Sequence, residues 1–469
     1  MTGPAQRIRA ALPWHQVRRI GRRMTWGITD QAMSSLTNFL LSAYVARSLG
    51  ATQFGAFSLA YLTYGFALNA SRGLSIEPLL VRFSGVEIRR WRRATRGCTG
   101  TALLVGLICG SLAMIAGVLV RGTTGLAFLG LGLMLPGLLL QDSWRYCFFA
   151  LGRGHHAFIN DTFWAVVQVP LLLLMKDTGH ATVFWFMIAW GAGAYGGAIL
   201  GAFQARVVPG LVGATVWLVL HRDLGPRYLI ENTGANAADT TRSYIASSIL
   251  GLAAVGDMQA ATVLMGPFKI ILFGMGMITI PEAAQILRNS PRRLPLFCLA
   301  VSAGLSVAAA AWGVMLLVTM PLGVGHLLLG SIWKAAYPLV PPTVLVVMGA
   351  TSAAGSGIGM HALGASRRSL RSAMVASLVM VPLAVVGALL WGVYGTLYLV
   401  AAGAWMTALY SWWLLRVAIV DSGRLPVPSW LWPPSGNEGP GRHPAAHRRQ
   451  RHQCDRQQGH QQEEAGAVK

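Results

Sequence analysis

Apolar blocks of about 20 residues follow one another from Met24 to Val417, and short polar gaps separate them. A helix rises 1.5 Å per residue, so each block is long enough to cross a hydrocarbon layer about 30 Å thick. The backbone must satisfy its own hydrogen bonds in lipid, which makes such blocks α-helical. The pattern predicts twelve spans, at residues 24–47, 54–80, 97–120, 124–150, 157–176, 181–204, 228–250, 256–284, 295–320, 342–364, 370–392 and 395–417.

The segment from His326 to Leu339 is too short and too interrupted to cross the membrane. We expect it to form an amphipathic piece on the membrane surface. The spans divide the chain into a basic arm (1–23), a six-helix bundle (24–204), a linker (205–227), a second six-helix bundle (228–417) and a basic tail (418–469). After Pro433 the tail is rich in Pro, Gly, His, Gln and Arg with few aliphatic residues, a composition that predicts disorder.

Basic residues alternate along the gaps and predict the orientation. Twenty-two of them fall in the N-terminal arm and in every second gap, against four in the remaining gaps, Arg47, Arg121, Lys176 and Lys334. The positive-inside rule makes the richer side cytoplasmic and places both termini there. The net charge of +22 would suggest nucleic acid on a soluble protein, but only 12% of residues are charged and the membrane accounts for the arginines. We therefore expect no nucleic-acid partner.

The chain repeats itself at an offset of 201 residues. Leu49, Gly50, Gly55, Ala60 and Gly65 recur as Leu250, Gly251, Gly256, Ala261 and Gly266, and Asp30, Gln31, Asn38 and Ser42 align with Glu231, Asn232, Asp239 and Ser243. Six spans precede the second copy, so both copies have the same orientation. This predicts a parallel repeat about an axis along the membrane normal, with a cleft between two halves that can rock in alternating access.

Polar residues follow one face of the first and seventh spans. Asp30, Ser34, Asn38 and Ser42 recur every four residues, and the seventh span has a matching stripe that begins at Asn232. Such a stripe lines either a helix interface or a watery cavity, and two matching stripes favour the cavity. We predict Asn38 as a cargo-binding residue on this basis.

Several charged residues lie within the spans, where a charge costs about 2.5–3.5 kcal/mol on insertion scales. Asp142 with Arg145, and Asp239 with Arg242, have i, i+3 spacing, which is typical either of self-neutralising pairs or of functional groups. Arg72 and Lys269 have no local partner, which favours anion binding. The predicted cargo-binding residues are Arg72, Arg145, Arg242, Lys269 and Asn38. The predicted ion-coupling residues are Asp30, Glu231 and Asp239.

The sequence shows no pattern that predicts an enzyme. The five cysteines form no CxxC pair, and we find no metal-ligand cluster, phosphate loop or nucleophile–base set. The glycine-rich stretch from Gly191 to Gly196 lies inside a span with no strand before it, so close helix packing explains it better than a dinucleotide. We expect neither a cofactor nor a metal.

The stretch DQAMSSLTNFLLSAYVARSLGATQFGAFSLAY, residues 30–61, resembles the opening of bacterial polysaccharide flippases. These are the Wzx-type members of the multidrug/oligosaccharidyl-lipid/polysaccharide (MOP) superfamily. LLLGSIWKAAYPLVPP, residues 327–342, resembles that family's segment before span ten. The resemblance covers residues 20–417 and implies an all-α, MATE-like fold in the bacterial inner membrane. It also implies outward flipping of a polyprenyl-diphosphate-linked oligosaccharide for cell-surface polysaccharide synthesis. Expected partners are that lipid-linked oligosaccharide, membrane lipids and a polysaccharide polymerase or glycosyltransferases.

Two other functions stay open. A multidrug or cation antiporter of the MATE type needs accessible carboxylates, which Asp30, Glu231 and Asp239 could supply, whereas the intramembrane arginines argue against it. A non-transporting membrane scaffold for cell-wall enzymes has the long basic tail in its favour. An integral-membrane glycosyltransferase would usually show acidic motifs in a large extramembrane loop, and the sequence has no long loop.

Overall fold

The computed structural model describes residues 14–422. Within that range, side chains are described from Thr25 onward, except residues 235–236, 269–271, 273–278, 280–281, 289, 292 and 366. The predicted disorder of the tail from residue 423 therefore lies outside the described residues. Residues up to Ala418 belong to one compact unit.

The described elements are helical and follow the predicted spans. In the first half they are α1 Trp14–Ser48, α2 Ala51–Ser71, α3 Ile88–Val120, α4 Gly122–Leu151, α5 Gly154–Asp177 and α6 Val183–Ala205. Helix α2 continues through a π-helical turn, Arg72–Ile76, into a short helix, Glu77–Phe83. The second half begins with α7 Gly225–Leu250, followed by α8, which is broken at Met265 into Leu252–Leu264 and Gly266–Asn289.

The last four spans follow in the same way. Helices α9 Leu294–Thr319 and α10 Val340–Ala362 are separated by the connecting segment, residues 320–339. One helical stretch, Ser366–Ser422, holds α11 (residues 366–391) and α12 (residues 393–422). Gly392 lies between them with a φ of 64°, a left-handed conformation that glycine adopts without a Cβ penalty. The prediction of an all-α polytopic membrane protein is confirmed, and each of the twelve predicted spans falls on described helices.

Three of the predicted spans are less apolar than the helices that qualify as membrane spans on composition alone. Within the described residues, six helical stretches are long and apolar enough to cross a membrane on composition alone, and they contain α3, α4, α5, α6, α9 with α10, and α11 with α12. Helices α1, α2 and α7 are not among them. Polar side chains interrupt these helices, which in a bilayer must face protein or a cavity rather than lipid.

The connecting segment has one side packed against the bundle and one side exposed. It forms short helical turns, Gly325–Leu329, Gly330–Ile332 and Trp333–Ala336, and buries one side chain or more from each. Arg47 at the end of α1 donates a hydrogen bond to the carbonyl of Leu327 at 2.8 Å. The packed side contacts α1 and α8, and a sequence pattern does not reveal these neighbours.

The linker between the two halves also contains a helix. Residues Leu211–Leu220 form a helix, here called the linker helix, that packs against α3. An added Cβ at Gly100 of α3 would lie 2.1 Å from the carbonyl oxygen of Gly210, and one at Gly97 would lie 2.9 Å from the Trp217 ring. These glycines allow the two helices to approach closely.

Helices α2 and α8 meet in a reciprocal contact that follows the repeat. An added Cβ at Gly55 would lie 1.9 Å from the carbonyl oxygen of Leu252. The equivalent Cβ at Gly256 would lie 2.1 Å from the carbonyl oxygen of Ala51. Both pairs of positions differ by the offset of 201 residues. A contact in which each residue meets the equivalent of its partner is the signature of a two-fold axis.

Candidate functional site

A central cavity of about 730 Å³ lies among helices of both halves. Helices α1 and α7 contribute a polar lining, namely Gln31, Ser35, Asn38, Ser42, Asp239, Arg242 and Ser243. Helices α10, α11 and α12 contribute a mostly apolar lining, which includes Val346, Val347, Met380, Ala384, Leu397 and Val400. Asn38 and Ser42 of the first predicted stripe, and Asp239 and Ser243 of the second, therefore face the same cavity, which is amphipathic.

Arg242 is the arginine among the residues that line this cavity. It forms an ion pair with Asp239, one turn away on α7, as their spacing allows. The Asp239 side chain is 64% exposed and that of Arg242 is 19% exposed. Arg242 also lies 3.7 Å from the sulfur of Met380 on α11. The pair is local and half open, so a ligand can compete for the guanidinium.

Arg72 has a partner that the local sequence does not show. Its Nε and Nη2 donate to the two carboxylate oxygens of Asp142 on α4, at 2.9 Å and 2.7 Å. Its guanidinium carbon lies 5.0 Å from the centre of the Tyr146 ring. The premise that Arg72 is an unpaired cation is therefore wrong, because a helix 70 residues away supplies the carboxylate.

Arg145 also binds carboxylates from other helices. Its Nε lies 2.5 Å from Asp30 on α1 and 3.5 Å from Asp161 on α5, and its Nη2 donates to Gln31 at 3.2 Å. Asp142 and Arg145 do not pair with each other, although their spacing suggested it. The side-chain amide of Gln141 donates to Asp161 at 2.7 Å. These contacts join α1, α4 and α5 into one buried network.

The five charged residues of this network, Asp30, Arg72, Asp142, Arg145 and Asp161, are here called the N-half cluster. Asp30 is fully buried, and one of its carboxylate oxygens has no hydrogen-bond partner. The cluster contains three carboxylates and two guanidiniums, so one negative charge is in excess when all are ionised. A proton or a monovalent cation would balance it, since an unpaired charge in the membrane is costly.

A second cavity of about 180 Å³ lies beside the N-half cluster. It is lined by four residues of the cluster, Arg72, Asp142, Arg145 and Asp161. Gln31, Asn38 and Tyr61 line both cavities. These three side chains connect the surroundings of the N-half cluster with the central cavity.

The remaining predicted residues lie elsewhere. Glu231 is exposed on α7 and is not among the residues that line either cavity. The side chain of Lys269 lies outside the described residues. Sequence reasoning did not select Asp161, Gln141 or Tyr146. Asp161 was the easiest to find, because it lies inside a predicted span, near the end that begins at residue 157.

Solved structures of known transporters are similar in fold to this chain. No family model matches the sequence, and no curated protein sequence matches it. An inward-facing multidrug-resistance MATE transporter of the MOP superfamily is 14% identical, with a TM-score of 0.61 over 84% of this chain and 96% of that chain. An outward-facing structure of such a transporter is 13% identical, with a TM-score of 0.53 over 87% and 96%.

A MOP-superfamily transporter from Pyrococcus furiosus, described as having a binding pocket of reverse polarity that suggests a different function, is also similar. It is 14% identical, with a TM-score of 0.53 over 87% of this chain and 96% of that chain. The chain is thus a multi-pass, all-α membrane protein with the fold of MATE transporters. Its structural neighbours are transporters rather than enzymes.

Proposed function

We propose that this protein is an alternating-access flippase that moves a polyprenyl-diphosphate-linked oligosaccharide across the bacterial inner membrane. The observation that carries the proposal is the amphipathic central cavity. Its serine, asparagine and glutamine side chains can exchange hydrogen bonds with sugar hydroxyls. Its valine, leucine and methionine side chains suit the polyprenyl chain, and the cavity lies between halves that the fold allows to rock.

Arg242 is the residue best placed to hold the diphosphate. A guanidinium binds phosphate oxygens through two parallel hydrogen bonds. The Arg242 side chain lines the cavity, and its partner Asp239 is mostly exposed. Arg72 and Arg145 are already bound to buried carboxylates, so we assign them a supporting role beside the cavity. Lys269 stays a candidate for a second cationic contact.

The arginine distribution supports a cytoplasmic location for both termini. The membrane potential then favours the proposed direction. An anionic head group that leaves a cell whose interior is negative gains about 2.3 kcal/mol per charge per 100 mV. Within this proposal the N-half cluster returns the empty carrier by taking up a proton or a cation, with Asp30 as the coupling residue.

Complementation of a depleted strain tests the proposal. Depletion should leave lipid-linked oligosaccharide on the cytoplasmic leaflet, and the wild-type gene should restore its export. We expect the Arg242→Ala variant not to restore export, and the Arg242→Lys variant to restore part of it. Arg227→Ala is the matched control, because Arg227 is exposed at the other end of α7 and lines neither cavity. Full export by Arg242→Ala at wild-type membrane levels would contradict the assignment.

A MATE-type antiporter is the second candidate, and the excess carboxylate of the N-half cluster favours it. Asp161→Asn removes that charge and leaves Arg145 bound to Asp30. If the protein is an antiporter, this variant should lose ion-driven dye extrusion while surface glycan is unchanged. If depletion of the protein changes neither dye extrusion nor glycan export, a scaffold for a polymerase or glycosyltransferases is favoured.

A further inference from the structure

One surface of the bundle combines an exposed basic helix face with an exposed apolar helix face. It consists of Arg89, Arg92, Arg93 and Arg96 at the start of α3, together with the outer side of the linker helix. We call it the α3–linker surface. Both parts belong to the compact unit and lie away from the two cavities described above.

The basic part is held in a fixed orientation. Positions 89, 92, 93 and 96 are three or four residues apart and so share one face of α3, and all four arginines are exposed. Trp91 is buried on the other side of the helix, and its indole nitrogen donates to the carbonyl of Cys147 at 2.9 Å. None of the four arginines forms an ion pair with the described residues.

The apolar part has one face packed and one face open. Ala214 and Trp217 are buried against α3, whereas Val212 is 89% exposed. Val216, Val219 and Leu220 are exposed on the same outer side of the linker helix. The linker helix, LVGATVWLVL, has no charged side chain, so its open face suits contact with acyl chains better than contact with water.

The two parts touch each other. The amide of Gly210, which precedes the linker helix, donates to the carbonyl of Arg96 at 3.2 Å. Gly100 and Gly97 permit the close approach that places the linker helix beside the arginine face. A molecule that covers both parts needs an anionic group and an adjoining apolar chain.

We infer that the α3–linker surface is a binding site for an anionic phospholipid. The phosphate of its head group accepts hydrogen bonds from the guanidinium groups, which match phosphate geometry. Its acyl chain lies along the exposed valines of the linker helix. Four uncompensated positive charges on one helix face favour an anionic lipid over a zwitterionic one. The inference is independent of the transported cargo.

Native mass spectrometry of the full-length protein in detergent tests this site. The probes are phosphatidylglycerol, phosphatidylcholine and inorganic phosphate, each titrated separately. The variant is Arg89→Gln/Arg92→Gln/Arg93→Gln/Arg96→Gln. The matched control is Arg153→Gln/Arg288→Gln/Arg293→Gln/Arg371→Gln, which removes four exposed arginines from other gaps on the same predicted side of the membrane. Thermal unfolding shows whether each variant is folded.

We expect the wild type to bind phosphatidylglycerol at a saturable site and the α3 variant to lose at least about tenfold in affinity. The control should stay within about twofold, and a second variant with four lysines at the α3 positions should retain most of the binding. Equal binding by the α3 variant and the control would overturn the site. So would wild-type affinity for phosphatidylcholine equal to that for phosphatidylglycerol, or competition by inorganic phosphate at similar concentration.

Discussion

In the N-terminal half, five charged side chains from α1, α2, α4 and α5 meet in one network, whereas the ion pair described in the C-terminal half joins two residues one turn apart on α7. In the first network, hydrogen bonds join residues that are far apart in the sequence, and the side chains are largely buried. The second pair lines the central cavity and is half open. Because the halves are repeats, the difference shows that one scaffold can use charge to join helices in one copy and to face a cavity in the other.

The energetic consequence follows from burial. Removing one partner of a buried ion pair leaves an uncompensated charge, which costs about 3–5 kcal/mol, whereas an exposed pair contributes about 0–1 kcal/mol. The N-half cluster is therefore expected to contribute more to stability than the Asp239–Arg242 pair. Arg242 is expected to affect cargo binding more than stability.

The largest effect is expected from Arg145→Met. It removes the guanidinium between Asp30 and Asp161 and should destabilise the protein by about 3–5 kcal/mol. Thermal unfolding in detergent and the level of protein in membranes measure this loss. Arg145→Met combined with Asp30→Asn should recover part of it. A melting temperature equal to that of the wild type would show that the network does not hold α1 to α4.

The next largest loss of stability is expected at the reciprocal contact between α2 and α8. Gly55→Ala should cost about 3 kcal/mol, because its Cβ meets the backbone of α8, which cannot move as a side chain can. Gly256→Ala should cost about the same, since the contact is reciprocal. Gly65→Ala is the control on α2, where an added Cβ has nothing within 4 Å. Unequal losses at the two glycines would break the two-fold relation between the halves.

The third effect is the coupling energy between Arg72 and Asp142, which a double-mutant cycle measures. Arg72→Met and Asp142→Asn should each destabilise the protein, and the double variant should be less damaging than their sum by about 2 kcal/mol. The bidentate geometry and the buried carboxylate are the reason. Strictly additive losses in unfolding temperature would mean that the two side chains are not coupled.

The smallest change in stability is expected from Arg242→Ala. Its partner Asp239 is mostly exposed, so the loss should be below about 1 kcal/mol. Export of lipid-linked oligosaccharide should nevertheless fall strongly. The comparison between the halves would be reversed if Arg242→Ala unfolded the protein while Arg145→Met left it stable.

The sequence by itself determined the spans, their number and the offset of the repeat. These features depend on the thickness of the hydrocarbon layer and on runs of neighbouring residues, which are local properties. The polar stripes on α1 and α7 were also readable, because helical periodicity places every fourth residue on one face. Their common position at the central cavity then follows from the parallel repeat.

Tertiary structure alone decided which charges meet. Arg72 pairs with a residue 70 positions away, and Arg145 with one 115 positions away, through helix packing that leaves no periodic signal. The i, i+3 rule described the Asp239–Arg242 pair correctly and failed for Asp142 and Arg145, since carboxylates and guanidiniums of other helices lie closer there. The packing of the connecting segment and that of the linker helix have the same origin. In each case the neighbour that determines the environment comes from a distant part of the chain.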